Sequence, residues 1–152
     1  YIKNVLANAK ILAETLKNNG FKIYSGGTDT HLMLVDLRPF NVKGNLAAES
    51  LCRANITCNK NGIPFDTEKP MITSGIRLGS QAATTRGFGL KEFEKVGELI
   101  TKVIKGLSNN PDNNSKVEGE VRNEVISLCS SFPIYKNLNK WFALYAKKVR
   151  LQ

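Results

Sequence analysis

Residues 73–88 read Thr-Ser-Gly-Ile-Arg-Leu-Gly-Ser-Gln-Ala-Ala-Thr-Thr-Arg-Gly-Phe, and the rest of the chain is organised around them. At the centre, Ile76 and Leu78 alternate with Arg77, which is the two-residue period of a short strand with one buried face. The pattern predicts a strand that turns both apolar side chains toward the core and Arg77 toward the opposite face.

The arginine in this strand has two interpretations. Its planar guanidinium matches a carboxylate through two parallel hydrogen bonds, so Arg77 is a candidate carboxylate-binding residue. The same pattern also fits an arginine in an ordinary surface ion pair. Gly75 and Gly79 flank the strand, and because neither has a side chain, a ligand or another segment can approach the backbone closely.

Short strands alternate with amphipathic helices on both sides of this stretch. Apolar residues with a helical period predict four helices, over residues 1–19, 47–52, 90–107 and 117–128, and a helical turn between Gly79 and Phe88. Further strands are predicted over residues 21–24, 31–37 and 56–58. This mixture predicts an α+β fold in which helices pack on one face of a small, mostly antiparallel sheet.

Length and composition are typical of one soluble globular domain. The chain has 152 residues, of which 41% are hydrophobic and 23% are charged. No apolar run approaches the roughly 20 residues that a membrane-spanning helix needs. The first residue is not methionine, and no signal or transit peptide is present, so we expect a fragment of a longer protein.

The cysteines and the single histidine argue against a metal site. Cys52, Cys58 and Cys129 are odd in number and widely spaced in apolar contexts, which predicts reduced thiols that act as small core residues. One histidine and no Cys-x-x-Cys pair give no zinc-ligand pattern. His31 follows a Gly-Gly turn at the start of a predicted strand, so a hydrogen-bonded structural role is favoured over a nucleophilic pair.

Two further blocks join residues 73–88 in resembling the serine hydroxymethyltransferase family. They are residues 25–37, Ser-Gly-Gly-Thr-Asp-Thr-His-Leu-Met-Leu-Val-Asp-Leu, and residues 53–61, Arg-Ala-Asn-Ile-Thr-Cys-Asn-Lys-Asn. The resemblance covers about residues 1–135 and implies the C-terminal small domain of a bacterial-type enzyme. Its implied fold is that of the aspartate-aminotransferase-like, fold type I pyridoxal-phosphate enzymes. Residues 136–152 form a basic, aromatic tail outside the family pattern.

The resemblance also implies an activity and a set of binding residues. The full-length enzyme would interconvert serine plus tetrahydrofolate with glycine plus methylene-tetrahydrofolate, in cytoplasmic one-carbon metabolism. Arg77 would hold the carboxylate of the amino acid, and Arg86 and His31 would support the site indirectly. The implied folate-binding residues are Asn61, Lys60, Lys69, Pro70 and Met71, the last three standing where the family often has Ser-Pro-Phe.

The family's chemistry implies parts that this sequence lacks. Family members bind pyridoxal phosphate at a lysine in a threonine-rich stretch ending in His-Lys, and an aspartate faces the pyridine nitrogen. Here Leu32 follows the only histidine. We therefore expect no catalytic residue in this chain and no activity from it alone. Its expected partner is the large domain of the same enzyme, in a homodimer when full length.

Two alternatives stay open at this point. One is the small domain of another pyridoxal-phosphate-dependent transferase, against which the folate-side block at residues 59–61 argues. The other is a non-enzymatic basic module that binds nucleic acid, since the net charge is +9. Against it, about half of that charge comes from residues 136–152, and the basic residues form no stripe interleaved with exposed aromatics.

Overall fold

The predicted arginine strand is an inner strand of an antiparallel sheet. The computed structural model describes residues 1–135, so the tail predicted over residues 136–152 lies outside the described part. Within it, four strands pair in the order β1-β2-β4-β3. The strands are β1 (Lys22–Ile23), β2 (Leu32–Asp36), β3 (Asn59–Asn61) and β4 (Gly75–Gly79). The helices are α1 (Ile2–Asn18), α2 (Gly44–Arg53), α3 (Gln81–Arg86), α4 (Leu90–Asn109) and α5 (Ser115–Ser130).

The two faces of the sheet differ in the way that the alternation predicts. In the register of β2 with β4, Val35 lies opposite Ile76 and Leu34 lies opposite Arg77. Val35 and Ile76 are fully buried, Leu78 is 6% exposed, and Arg77 is exposed. The buried face joins the apolar stripes of the long helices in one core. The prediction of an α+β fold with helices on one face of an antiparallel sheet is confirmed.

The helices α1 and α2 lie against the sheet, and α4 packs against both of them. Leu12 and Leu16 of α1 are buried together with Ile100 of α4. The axes approach closely because α4 has a glycine at the contact: a Cβ on Gly97 would lie 2.7 Å from Thr15 Cγ2. Within residues 1–135, no helix combines the length and apolar character needed to cross a membrane.

A buried carboxylate joins α5 to α2. Glu118 accepts hydrogen bonds from Ser50 Oγ at 2.6 Å and from Arg53 Nε and Nη2 at 2.7 Å each. The Glu118 side chain is 5% exposed and that of Arg53 is 52% exposed. The hydrogen bonds from Arg53 lower the pKa of Glu118, and the bond from Ser50 adds to this effect. The pair therefore fixes α5 against the rest of the domain in its ionised form.

The prediction of a strand over residues 56–58 was wrong, because the strand lies three residues further along the chain, at Asn59–Asn61. The chain leaves α2 through a tight turn in which Asn55 has a φ of 63° and Ile56 N–H donates to Leu51 O at 2.8 Å. Ile56, the first residue of the predicted strand, therefore belongs to this turn. Pairing with β4 begins only at Asn59, so β3 is made of the polar residues Asn59–Asn61.

The prediction that all three cysteines are core residues was wrong for Cys52. The buried side of α2 runs through Ala47 and Leu51, and Cys52, one residue further round the helix, is exposed. Cys58 and Cys129 are half-buried, and all three are free thiols. Burial raises the pKa of the Cys58 thiol to about 11, so this thiol is a poor nucleophile.

The glycines at the two ends of β4 have different surroundings, which gives a stability prediction. A Cβ on Gly75 would lie 2.5 Å from Ile63 Cγ2 and 2.7 Å from Val35 O. A Cβ on Gly79 would meet nothing closer than His31 O at 3.6 Å. We expect Gly75→Ala to lower the free energy of unfolding by about 1–3 kcal/mol, the usual cost of overpacking, with a much smaller loss for Gly79→Ala. Urea unfolding of both variants checks this, and equal losses would contradict it.

Candidate functional site

The exposed face of the sheet carries an open groove of about 440 Å³ beside β4. Arg77 lines it together with His31, Asn59 and Gln81. The groove is open because Gly79 has no side chain there, whereas Ile63 fills the space next to Gly75. The structure thus brings together two of the predicted site residues, the arginine and the histidine. It adds Asn59, which the sequence indicated only as part of the folate-side block at residues 59–61, and Gln81, which was not predicted.

The Arg77 guanidinium has no anionic partner among residues 1–135. No carboxylate oxygen of these residues lies within 4.0 Å of it. By contrast, Arg38 contacts Asp36 at 2.7 Å and Arg53 contacts Glu118 at 2.7 Å. The interpretation of Arg77 as half of a surface ion pair therefore has no support in the described part of the chain.

The strand pairing divides the predicted folate-binding residues of β3. Asn59 and Asn61 lie opposite Arg77 and Gly75, while Lys60 lies opposite Ile76. Because directly opposed residues share a face, Asn61 is on the Arg77 face of the sheet and Lys60 is on the other. Lys60 Nζ donates to Met71 O at 2.8 Å, and the Asn61 amide nitrogen donates to Gly62 O at 2.8 Å. Because side chains alternate between the two faces along a strand, Lys60 and Asn61 lie on opposite faces although they are adjacent in the sequence.

The three other predicted folate-binding residues form an exposed turn before β4. Lys69 O accepts the N–H of Ile72 at 2.8 Å and that of Thr73 at 3.0 Å, which closes the turn. Lys69 and Pro70 are exposed, and Met71 is 73% exposed. None of these three residues lines the Arg77 groove in the described structure. The turn lies next to the edge strand β3, to which the hydrogen bond from Lys60 Nζ to Met71 O connects it.

Sequence reasoning missed the residue that holds this loop in place. The Asp66 carboxylate accepts hydrogen bonds from Ile63 N at 3.2 Å, Glu68 N at 3.0 Å, Ser74 N at 2.9 Å and Ser74 Oγ at 2.7 Å. Burial alone would raise the pKa of Asp66, but these bonds outweigh it and lower the pKa well below its usual value. An aspartate in a loop rich in glycine and proline is typical of such a turn, so the signal was present.

Of the two residues that were expected to support the site indirectly, His31 lines the Arg77 groove and Arg86 does not. His31 is half-exposed, and its backbone oxygen, not its ring, accepts from Ser80 N at 2.9 Å. In residues 1–135 the ring makes no hydrogen bond, which corrects the expectation of a hydrogen-bonded structural histidine. Arg86 Nε donates to Phe132 O at 2.6 Å and Arg86 Nη2 donates to Cys129 O at 3.0 Å, so it joins α3 to the end of α5.

Comparisons with known proteins agree on one family. The family model described as serine hydroxymethyltransferase matches residues 1–100. A serine hydroxymethyltransferase of Pelagibacter ubique (strain HTCC1062) is 88% identical over 138 residues, which are 91% of this chain and 32% of the relative. One of Marinomonas sp. (strain MWYL1) is 63% identical over 136 residues, 90% of this chain and 32% of the relative. The chain spans about a third of the length of these relatives, and it belongs to the serine hydroxymethyltransferase family.

Proposed function

We propose that this chain is the C-terminal small domain of a serine hydroxymethyltransferase and that Arg77 binds the carboxylate of serine or glycine. The observation that carries this proposal is the exposed arginine without a carboxylate partner in residues 1–135, in an open groove. A guanidinium placed in this way can offer two parallel N–H donors to a ligand carboxylate. We infer the fold type I architecture from the family, together with a cytoplasmic homodimer for the full-length protein.

The proposed reaction divides between this domain and the rest of the enzyme. Pyridoxal phosphate, when bound, supplies the electron sink for bond cleavage at the amino acid. The residues of the groove do not fit that cofactor: in the described part no carboxylate lines the groove to face a pyridine nitrogen, and Leu32 follows the only histidine, so the sequence holds no His-Lys motif. The proposed task of this chain is to bind and orient the amino-acid carboxylate.

The folate side of the proposal rests on position relative to Arg77. Asn61 lies on the same face, two residues along β3 from the position opposite Arg77. Its amide offers both donors and an acceptor, which suits the edge of a heterocycle such as the pteridine. Lys60 and the turn at residues 69–71 lie toward the edge of the sheet, where Lys60 and Lys69 offer positive charge to a carboxylate tail of folate.

A chimeric enzyme tests this proposal. Residues 1–135 would replace the matching segment of the Pelagibacter relative, which is 88% identical over 138 residues. We expect the chimera to convert serine and tetrahydrofolate to glycine and methylene-tetrahydrofolate within about tenfold of the parent's rate, because conservative changes in a matched core are tolerated. A chimera that folds and binds pyridoxal phosphate but does not turn over serine would contradict the proposal.

The chain by itself is expected to be inactive. Its sequence lacks the His-Lys motif that binds pyridoxal phosphate in the family. Adding the cofactor to the isolated chain should leave the cofactor's absorbance spectrum unchanged apart from slow, nonspecific reaction with surface lysines. A saturable spectral change that is abolished by substituting one particular lysine would show that this expectation is wrong.

A further inference from the structure

One polar side chain lies directly beside Arg77 in the sheet. Asn59 of β3 is opposite Arg77, so their Cβ atoms are about 4.5–5.5 Å apart on the same face. The opposite neighbour on β2 is Leu34, which has no hydrogen-bonding group in its side chain. Along β4 the nearest residues on this face are Gly75 and Gly79. Asn59 is therefore the cross-strand neighbour able to act with the guanidinium.

The Asn59 side chain is available to a ligand. It is exposed and lines the same groove as Arg77. Within residues 1–135 its amide makes no hydrogen bond, whereas Asn61 uses its amide nitrogen on Gly62 O and Asn8 uses its own on Thr84 Oγ1. An amide carries two N–H donors and no charge. It can add donors beside Arg77 without neutralising it.

A carboxylate bound by Arg77 can accept further hydrogen bonds from the Asn59 amide. Its two oxygens offer about four lone-pair sites, and a guanidinium that binds in the two-pronged mode uses two of them. We propose that Asn59 is a further substrate-binding residue: its Nδ2 donates to the carboxylate held by Arg77, and its neutrality keeps Arg77 free for that ligand. This inference rests on the proposed function of Arg77.

The test changes the charge at this position in the chimeric holoenzyme. Asn59→Asp keeps the size of the side chain but places a carboxylate opposite Arg77, where it would pair with the guanidinium and repel the ligand. We expect the Kd for glycine and the KM for serine to rise about a hundredfold, because juxtaposed like charges oppose binding strongly. Asn59→Ala removes only a hydrogen bond and should raise both about fivefold.

Matched variants keep the outcome interpretable. Asn123→Asp adds the same charge on the exposed side of α5 and should leave glycine binding unchanged. If Arg77→Ala abolishes glycine binding while both Asn59 variants bind glycine like the parent chimera, the inference about Asn59 is wrong and the proposed function stands. If Arg77→Ala also binds glycine normally, the proposed function itself fails. Should Asn59→Asp fail to fold, the fivefold effect of Asn59→Ala decides.

Discussion

Replacing Arg77 with alanine in the chimeric holoenzyme is expected to reduce serine turnover and glycine affinity by roughly a hundredfold or more. In the holoenzyme we expect the large domain to cover the groove, and losing one partner of a charge pair held away from water costs about 2–5 kcal/mol of binding free energy, where each 1.4 kcal/mol is about tenfold. Arg77→Lys should also fail substantially, since an ammonium keeps the charge but not the two-pronged geometry. Binding of the cofactor should change little, because the His-Lys motif that binds it in the family has no counterpart in this chain.

The control for this prediction is an arginine of similar exposure that faces away from the groove. Arg122 on α5 is exposed and donates to Arg53 O at 2.7 Å, so Arg122→Ala should affect stability alone. A surface arginine typically contributes about 1 kcal/mol or less. Steady-state kinetics, glycine titration and a melting curve for each variant separate the two roles. Near-normal turnover with lowered stability would make Arg77 a structural residue.

The second large effect is expected where α5 is joined to α2. Arg53→Ala would leave Glu118 nearly buried with only its bond from Ser50. Breaking a buried pair costs about 3–5 kcal/mol, and because half of the Arg53 side chain is exposed we expect about 2 kcal/mol at pH 7. Urea unfolding of the chain and of Arg53→Ala measures this loss. The exposed pairs of Lys102 give the control: Lys102→Ala should cost about 1 kcal/mol or less.

The pH dependence of this loss follows from the lowered pKa of Glu118. A carboxyl whose pKa is lower in the folded state stabilises the fold above its unfolded pKa, here near its usual value of 4.5. That stabilisation is lost as the pH falls through the lower folded-state pKa. The difference between the parent chain and Arg53→Ala should therefore be full at pH 7 and shrink progressively below about pH 4.5. A difference that does not change with pH would contradict the ionised pair.

The elements with a clear period were predicted from sequence, and those set by chain turns were not. The alternation around Arg77 gave β4, and the long apolar stripe gave α4, because each pattern reports burial of one face. The position of β3 depends on the turn after α2, which uses Ile56 in a backbone hydrogen bond. Cys52 is exposed because the buried side of α2 runs through Ala47 and Leu51. In so short a helix the sequence does not show whether a single cysteine lies on the buried side or next to it.

The candidate site was predictable only in part, for a similar reason. Arg77 could be singled out from its own strand. The role proposed for Asn59 needs the register of β3 with β4, which joins residues far apart in the sequence. The same register places Lys60 on the face opposite Asn61, although the two are adjacent in the chain. The bonds of Asp66 likewise depend on how the loop folds back to Ser74.

The most direct test of the central claim compares two ligands that differ by one carboxylate. Glycine and methylamine would be titrated into the chimeric holoenzyme and into its Arg77→Ala variant. If Arg77 binds the substrate carboxylate, the parent should prefer glycine by about a hundredfold or more, and the variant should lose that preference while binding methylamine as before. An unchanged preference for glycine in the variant would contradict the assignment of Arg77 as the carboxylate-binding residue.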